Sequence, residues 1–165
     1  MNHDLLTMLL RPMADAYAAA PEVPNGRTLR ADMSERWAAA ASYFGTYADM
    51  LRRSIDVDVQ AVGEPYADDA EMFADIDGGH FTVSNLFCDH PLWTPSQNVD
   101  FRIYHDHFGH YGIADGFDRM GEYRVWAHSH SSLPTYLRPV LFSESMTQLA
   151  FSAISGEFGA QKVSY

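Results

Sequence analysis

Between Arg30 and Arg53 the apolar residues Met33, Trp37, Ala40, Ala41, Phe44, Tyr47, Met50 and Leu51 recur at helical spacing. A stripe of that length commits roughly six turns of helix to one buried face. Immediately afterwards Ile55, Val57, Val59 and Ala61 alternate with Asp56, Asp58 and Gln60, the period of a half-buried strand. A chain that changes period within a few residues must fit both elements around one core, so neither an all-helical bundle nor an all-β sandwich accommodates it.

The remaining segments extend this pattern. Leu5, Met8, Leu9, Met13 and Tyr17 predict a first helix over residues 1–20, and Pro21, Pro24, Asn25 and Gly26 a loop after it. Asp68 or Asp69 is placed to cap a short helix through Phe73 and Ile76, and Gly78-Gly79 to turn the chain into a second strand, HFTVSNLF over 80–87. Segment 89–98 reads as a loop held by two prolines, followed by helices near 99–111, 119–130 and 134–153. The expected fold is α+β and dominated by helices. It has long N-terminal helices, a small β-hairpin or two-to-three-stranded sheet, then three C-terminal helices carrying the polar residues. At 165 residues, with no repeat or linker, the chain reads as a single domain spanning 1–165.

Charge narrows the partners. Eleven basic residues stand against 22 acidic ones, a net charge of −11. Non-specific nucleic-acid binding needs basic groups on phosphates and is not expected. No Lys or Arg lies between Arg53 and Arg102, while ten acids do, from Asp56 to Asp100. That acidic region, 56–100, is a solvated face or a docking surface for a host protein. No apolar run approaches the ~18 residues of a membrane span, and no basic segment precedes the apolar N-terminus, so neither a membrane nor a secretory leader is expected. The single Cys88 excludes an internal disulfide and suits a reducing cytoplasm.

The chemistry concentrates in Tyr104-His105-Asp106-His107-Phe108-Gly109-His110. On an α-helix Asp106 and His110 share a face, and His107 and His110 are also neighbours. Imidazoles and a carboxylate on adjacent turns are what Zn²⁺ or Fe²⁺ takes from a helix. Glu122, one short loop away behind an Asp118 cap, is the natural further ligand. The expected metal set is therefore His105, Asp106, His107, His110 and Glu122, with the choice between His105 and His107 left open. Further on, Glu144 is placed as a general base and His128 as a proton donor or oxyanion stabiliser, with Gln148 hydrogen-bonding behind them. A polar core without metal is the alternative use of the same histidines.

The run FRIYHDHFGH (101–110), then Gly116-Phe117, Gly121-Glu122, Trp126, His128-Ser129, Ser143-Glu144 and Gln148, resembles a domain carried by phages and mobile elements, often inside large polyvalent proteins. The resemblance spans roughly residues 30–150 and is specific over 101–148. Tyr123-Arg124 replaces that family's acid-rich continuation, and Ser143-Glu144-Ser145 its Thr-Glu-Thr. The resemblance implies a shared polar site and a phage origin, hence the host cytoplasm, but no reaction. A weaker likeness is to ubiquinone-biosynthesis proteins whose metal motif is HDxxH, eleven residues, then Glu. Here eleven residues also separate His110 from Glu122, but the pair before is Asp106-His107, in reversed order.

A divalent metal on such residues leaves positions for water and substrate. The expected function is a small phage-encoded metal-dependent hydrolase or lyase acting on a nucleotide, a nucleic-acid base or another small molecule. A non-enzymatic acidic inhibitor or DNA mimic, or a phage structural protein, is the alternative. No phosphate-binding loop, dinucleotide fingerprint or GxSxG elbow is present in the sequence.

Overall fold

A computed structural model of the chain describes residues 3–20, 31–157, 159, 162 and 163. The loop expected over Pro21–Gly26 lies outside the described residues. Helix α1 (His3–Ala19) is followed by α2 (Ala31–Arg52), the long helix that the apolar stripe predicts. Trp37, Ala40, Ala41, Phe44, Ala48 and Leu51 are buried along it, whereas Met50 points to solvent.

Strand β1 (Asp56–Gln60) and strand β2 (His80–Ser84) flank α3 (Asp69–Asp77). They pair in parallel, Val57 opposite Phe81 and Val59 opposite Val83, so of the two expected forms the two-stranded sheet is found and not the hairpin. The reason lies in the connection: a helix between the strands returns the chain to its starting edge, which a tight turn cannot do. Asp68 caps α3, its side chain accepting from the Glu71 backbone N–H at 2.9 Å. One face of the sheet is packed, and on the other Asp56 and Asp58 are exposed; Val59, on the packed face, lies at its uncovered end. Phe81 and Val83 are fully buried against α3 and the C-terminal half of α2, while Val59 is 48% exposed.

After a loop ending at Thr94, α4 (Pro95–Ile103) starts four residues earlier than the apolar pattern suggests. Thr94 and Gln97 form a reciprocal capping box and Pro95 occupies the first turn, where its missing N–H costs nothing. The helix runs on without a break into a π-helical segment, Tyr104–Tyr111. Next come α5 (Arg119–Ser132), a 3₁₀ turn (Thr135–Leu137), α6 (Arg138–Leu141), a second π-helical segment (Phe142–Thr147) and α7 (Gln148–Ser155).

The core has three adjoining parts. Trp37, Phe44, Trp93, Tyr104 and Leu141 pack between α2, α4 and the 133–141 segment. The sheet and α3 close over Ala48, Leu51 and Ile103. Helix α1 lies along α7, burying Leu10 and Ala14 against Met146 and Ala150. Cys88 is a small buried apolar group, its thiol pushed up by burial. No described helix is long and apolar enough to cross a membrane.

Candidate metal centre

The first π-helical segment carries His105, Asp106, His107 and His110 and the second Glu144, while Glu122 and His128 lie on α5 and Gln148 opens α7. In a π-helix the backbone bonds run from i to i+5, so residues five apart stack on one side. This geometry, and not the α-helical spacing, brings His105 and His110 together, with ring centroids 5.0 Å apart. Gly109 lies between them, and a Cβ there would stand 2.5 Å from Val125 Cγ1 on α5. Its bare backbone lets α5 approach closely. At Gly121 a Cβ would overlap the Gly116 carbonyl oxygen, so the loop before α5 also folds tightly only around glycine. Asp118 caps α5 by accepting from the Met120 and Gly121 N–H groups, both at 2.8 Å, which fixes Glu122 in the first turn.

Glu122 then reaches back between the two imidazoles. Its Oε2 lies 3.3 Å from His105 Nε2 and its Oε1 3.3 Å from His110 Nε2. One donor atom from each of the three residues falls within a span of 4.8 Å. Four ligands at roughly 2.0–2.2 Å around a tetrahedral ion stand about 3.3–3.6 Å apart; each histidine is that far from one Glu122 oxygen, a different oxygen for each, so a cation between them would draw the three side chains slightly inwards.

The tautomer of His110 adds a second constraint. Its Nδ1 is 3.0 Å from the Asp115 backbone oxygen, which only accepts, so Nδ1 carries the proton. The Asp115 N–H in turn donates to the His110 carbonyl at 3.0 Å, closing the pair. In the neutral ring Nε2 is therefore a lone pair facing a carboxylate oxygen. Two acceptors at that distance need a proton or a metal ion between them. A histidine whose far nitrogen is tied to a backbone carbonyl is the usual arrangement of a metal ligand.

The three side chains are also coupled electrostatically. Burial works against ionising Glu122, yet His105 and His110 override it and hold its pKa down to about 2. Burial opposes charge on His105 too, and the Glu122 carboxylate still raises its pKa above the ordinary histidine value. Asp106 is raised, chiefly by burial, against the lowering effect of the two histidines. It lines the same cleft but is not one of the three residues whose donor atoms converge.

The other expected residues are placed elsewhere. His107 points to the opposite side of its helix, where Nδ1 shares a 2.7 Å hydrogen bond with the Tyr47 hydroxyl and the ring leans on Phe81 and Tyr111. Of the two, His105 and not His107 stands beside Glu122 and His110. His128 stacks on Phe108 at 4.7 Å and is not among the cleft residues. Gln148 lines the cleft and donates to the Gly159 carbonyl at 3.4 Å.

Glu144 is buried, its side chain 2% exposed, and lines the same cleft of about 660 Å³ as His105 and Glu122, while His110 lies behind them and is not among the lining residues. Trp37 Nε1 donates to its Oε1 at 3.1 Å, and His90 Nε2 lies 3.2 Å from each of its oxygens. His90 Nδ1 accepts from the backbone N–H groups of Leu92 and Trp93, both at 3.0 Å. Nε2 therefore carries the proton and can only donate. His90 thereby holds a carboxylate that lies 54 residues away in the sequence.

One face of α4 and the first π-segment, Asn98, Phe101, Arg102 and His105, forms one wall of the cleft. These residues are spaced three, four and seven apart, a helical face that could have been read beside the histidine motif. The acids of 56–100 are largely engaged in the fold. Asp75 accepts from Tyr66 and bonds His80, Asp77 accepts from Tyr111, Asp100 pairs with Arg52, and Asp68 caps α3.

No family model, curated protein or solved structure matches the chain.

Proposed function

We propose that the protein is a small metal-dependent hydrolase or lyase, with a divalent cation, Zn²⁺ or Fe²⁺, held by His105, His110 and Glu122. The observation that carries this reading is the His110 ring. Its Nδ1 is committed to the Asp115 carbonyl, and its Nε2 lone pair faces a carboxylate oxygen at 3.3 Å, with a second imidazole on the same carboxylate. Bound there, such an ion would polarise a substrate oxygen and bring the pKa of a coordinated water towards neutrality.

The chain's own residues have separable tasks. Glu122 bridges the two imidazoles and supplies the negative charge of the ligand set. Asp115 and its ion-pair partner Arg124 hold the loop whose carbonyl orients His110. Glu144, clamped by Trp37 and His90, is the proton acceptor offered to the cleft, since its orientation is set before any ligand arrives.

The likeness to the mobile-element domain supports the same reading. Residues of that pattern far apart in sequence, among them Arg102, His105, Phe117, Glu122 and Glu144, line one cleft. A phage or mobile-element origin belongs to this proposal.

Elemental analysis of protein purified without a histidine tag tests it. Near-stoichiometric zinc or iron, lost in His110→Gln and Glu122→Gln, is the expected result. Absence of metal, together with no thermal shift on adding Zn²⁺, Fe²⁺ or Mn²⁺, refutes the proposal.

A further inference from the structure

The cleft beside the converging histidines contains polar groups that the metal-centre reading leaves unused. Asn98 is 3% exposed, lines the cleft, and its side-chain amide has no hydrogen-bond partner among the described residues. Its amide atoms are not sealed from solvent, so they present a donor and an acceptor open to the cleft. The Ser145 hydroxyl, also on the cleft, is buried and has no partner among the described residues. Arg102 donates one Nη to the Ser84 carbonyl at 2.9 Å, and its other N–H groups have no partner among the described residues. Arg119, at the mouth, makes no side-chain bond there either. The cleft thus holds one guanidinium anchored through a single Nη and a second, exposed one, in a chain with only 11 basic residues.

Two aromatic rings complete the set. Phe87 is 72% exposed at the cleft and its backbone has φ 55°, the left-handed region that a bulky residue enters only under constraint. Phe117, 42% exposed, stands edge-on to His110 at 4.9 Å and also lines the cleft. Solvent-facing rings held in this way offer flat surfaces for a planar ligand.

From these groups we infer that the cleft takes a nucleoside monophosphate. Phe87 and Phe117 receive the base, and Arg102 with Arg119 takes the phosphate. The Asn98 amide, which both donates and accepts, reads the edge of the base, assisted by the fixed acceptor Glu144. The volume of about 660 Å³ lies in the range of small-molecule sites. This inference names the substrate class of the proposed enzyme and rests on that reading for turnover, but binding itself is independent of the ion.

The test is calorimetric titration of the full chain, metal-free and zinc-loaded, with AMP, GMP, CMP and UMP. The parent nucleosides and ribose 5-phosphate serve as partial probes. At least one nucleotide should bind tenfold or more tightly than both its nucleoside and ribose 5-phosphate. Arg102→Leu should abolish the advantage of nucleotide over nucleoside, and Asn98→Leu should level the differences among bases, with zinc content unchanged in both. Phe87→Ala and Arg119→Ala, at exposed positions, repeat the test where the buried variants fail to fold. The inference is overturned if every nucleotide binds no better than its fragments, or if all these variants bind as the parent does. Metal binding without nucleotide binding removes this inference alone. Nucleotide binding without metal supports it and removes the metalloenzyme reading.

Discussion

Replacing Gly109 by alanine places a methyl group where α5 meets the first π-helical segment. The new Cβ would stand 2.5 Å from Val125 Cγ1, about 1 Å short of an unstrained carbon–carbon contact. Val125 is fully buried, and side chains in a close-packed interior have little room to turn. The strain is therefore relieved by moving α5 outwards, and Glu122 lies one turn before Val125 on that helix. A rigid shift of about 1 Å would open the 3.3 Å histidine–glutamate spacings to about 4 Å, moving the donors further from the separation of ligands around one tetrahedral ion. Overpacking costs about 1–3 kcal/mol, and replacing glycine by alanine in a helix returns up to about 1 kcal/mol. The net loss of stability is then about 0–3 kcal/mol, a fall in Tm of no more than about 12 °C for a chain of this size. Metal affinity should fall much further in proportion, by about 10–100-fold, as it does when ligands lose their support. Thermal unfolding together with zinc titration against a chromophoric chelator measures both effects. Val125→Ala in the same chain should restore affinity, because it removes the methyl that is struck. Gly112→Ala is the control, since a Cβ there meets only the His107 carbonyl at an ordinary 3.5 Å. A folded Gly109→Ala protein that binds zinc as tightly as the parent would refute the argument that close helix approach builds the site.

Three further outcomes are expected. His107→Gln should leave zinc affinity within twofold of the parent while costing about 1 kcal/mol in urea denaturation, because it removes the partner of the Tyr47 hydroxyl and touches no ligand; a loss of zinc would contradict the choice of His105. In the metal-free protein the Glu122–histidine interaction should produce a stability plateau. Glu122 is depressed from 4.5 to about 2, so its contribution is complete above pH 4.5 and is lost as pH falls towards 2. His105 is raised from 6.5, so its contribution is complete below pH 6.5 and is lost as pH rises through its folded value. Thermal melts should therefore show both limbs in the parent and neither in Glu122→Gln, and a variant that kept both would place the effect on other groups. Asp118→Ala removes the cap of α5 and should cost about 1 kcal/mol by urea denaturation, with weaker zinc binding because Glu122 sits in the turn that the cap secures; unchanged binding would separate the cap from the site.

Much of this protein follows from local pattern. The stripe of α2, the switch to period two at β1, the Asp68 and Asp118 caps, and the clustering of site residues after position 100 are all short-range signals, because capping and amphipathicity act within a few residues. What the pattern leaves open is long-range. Parallel or antiparallel strand pairing depends on how the intervening segment packs, and here α3 makes it parallel. The choice among His105, Asp106 and His107 depends on a π-helical turn, which has no periodic signature of its own and arises where Gly109 admits α5. Spacing on an ordinary α-helix pairs Asp106 with His110, whereas the wider turn pairs His105 with it. Glu144 acquires its fixed orientation from Trp37 and His90, 107 and 54 residues away, and no local reading reaches that far. The amino-acid order thus determines which chemical groups are present and on which elements. Helix approach in three dimensions decides which of them share a point in space, because convergence is a property of packing and not of neighbouring residues.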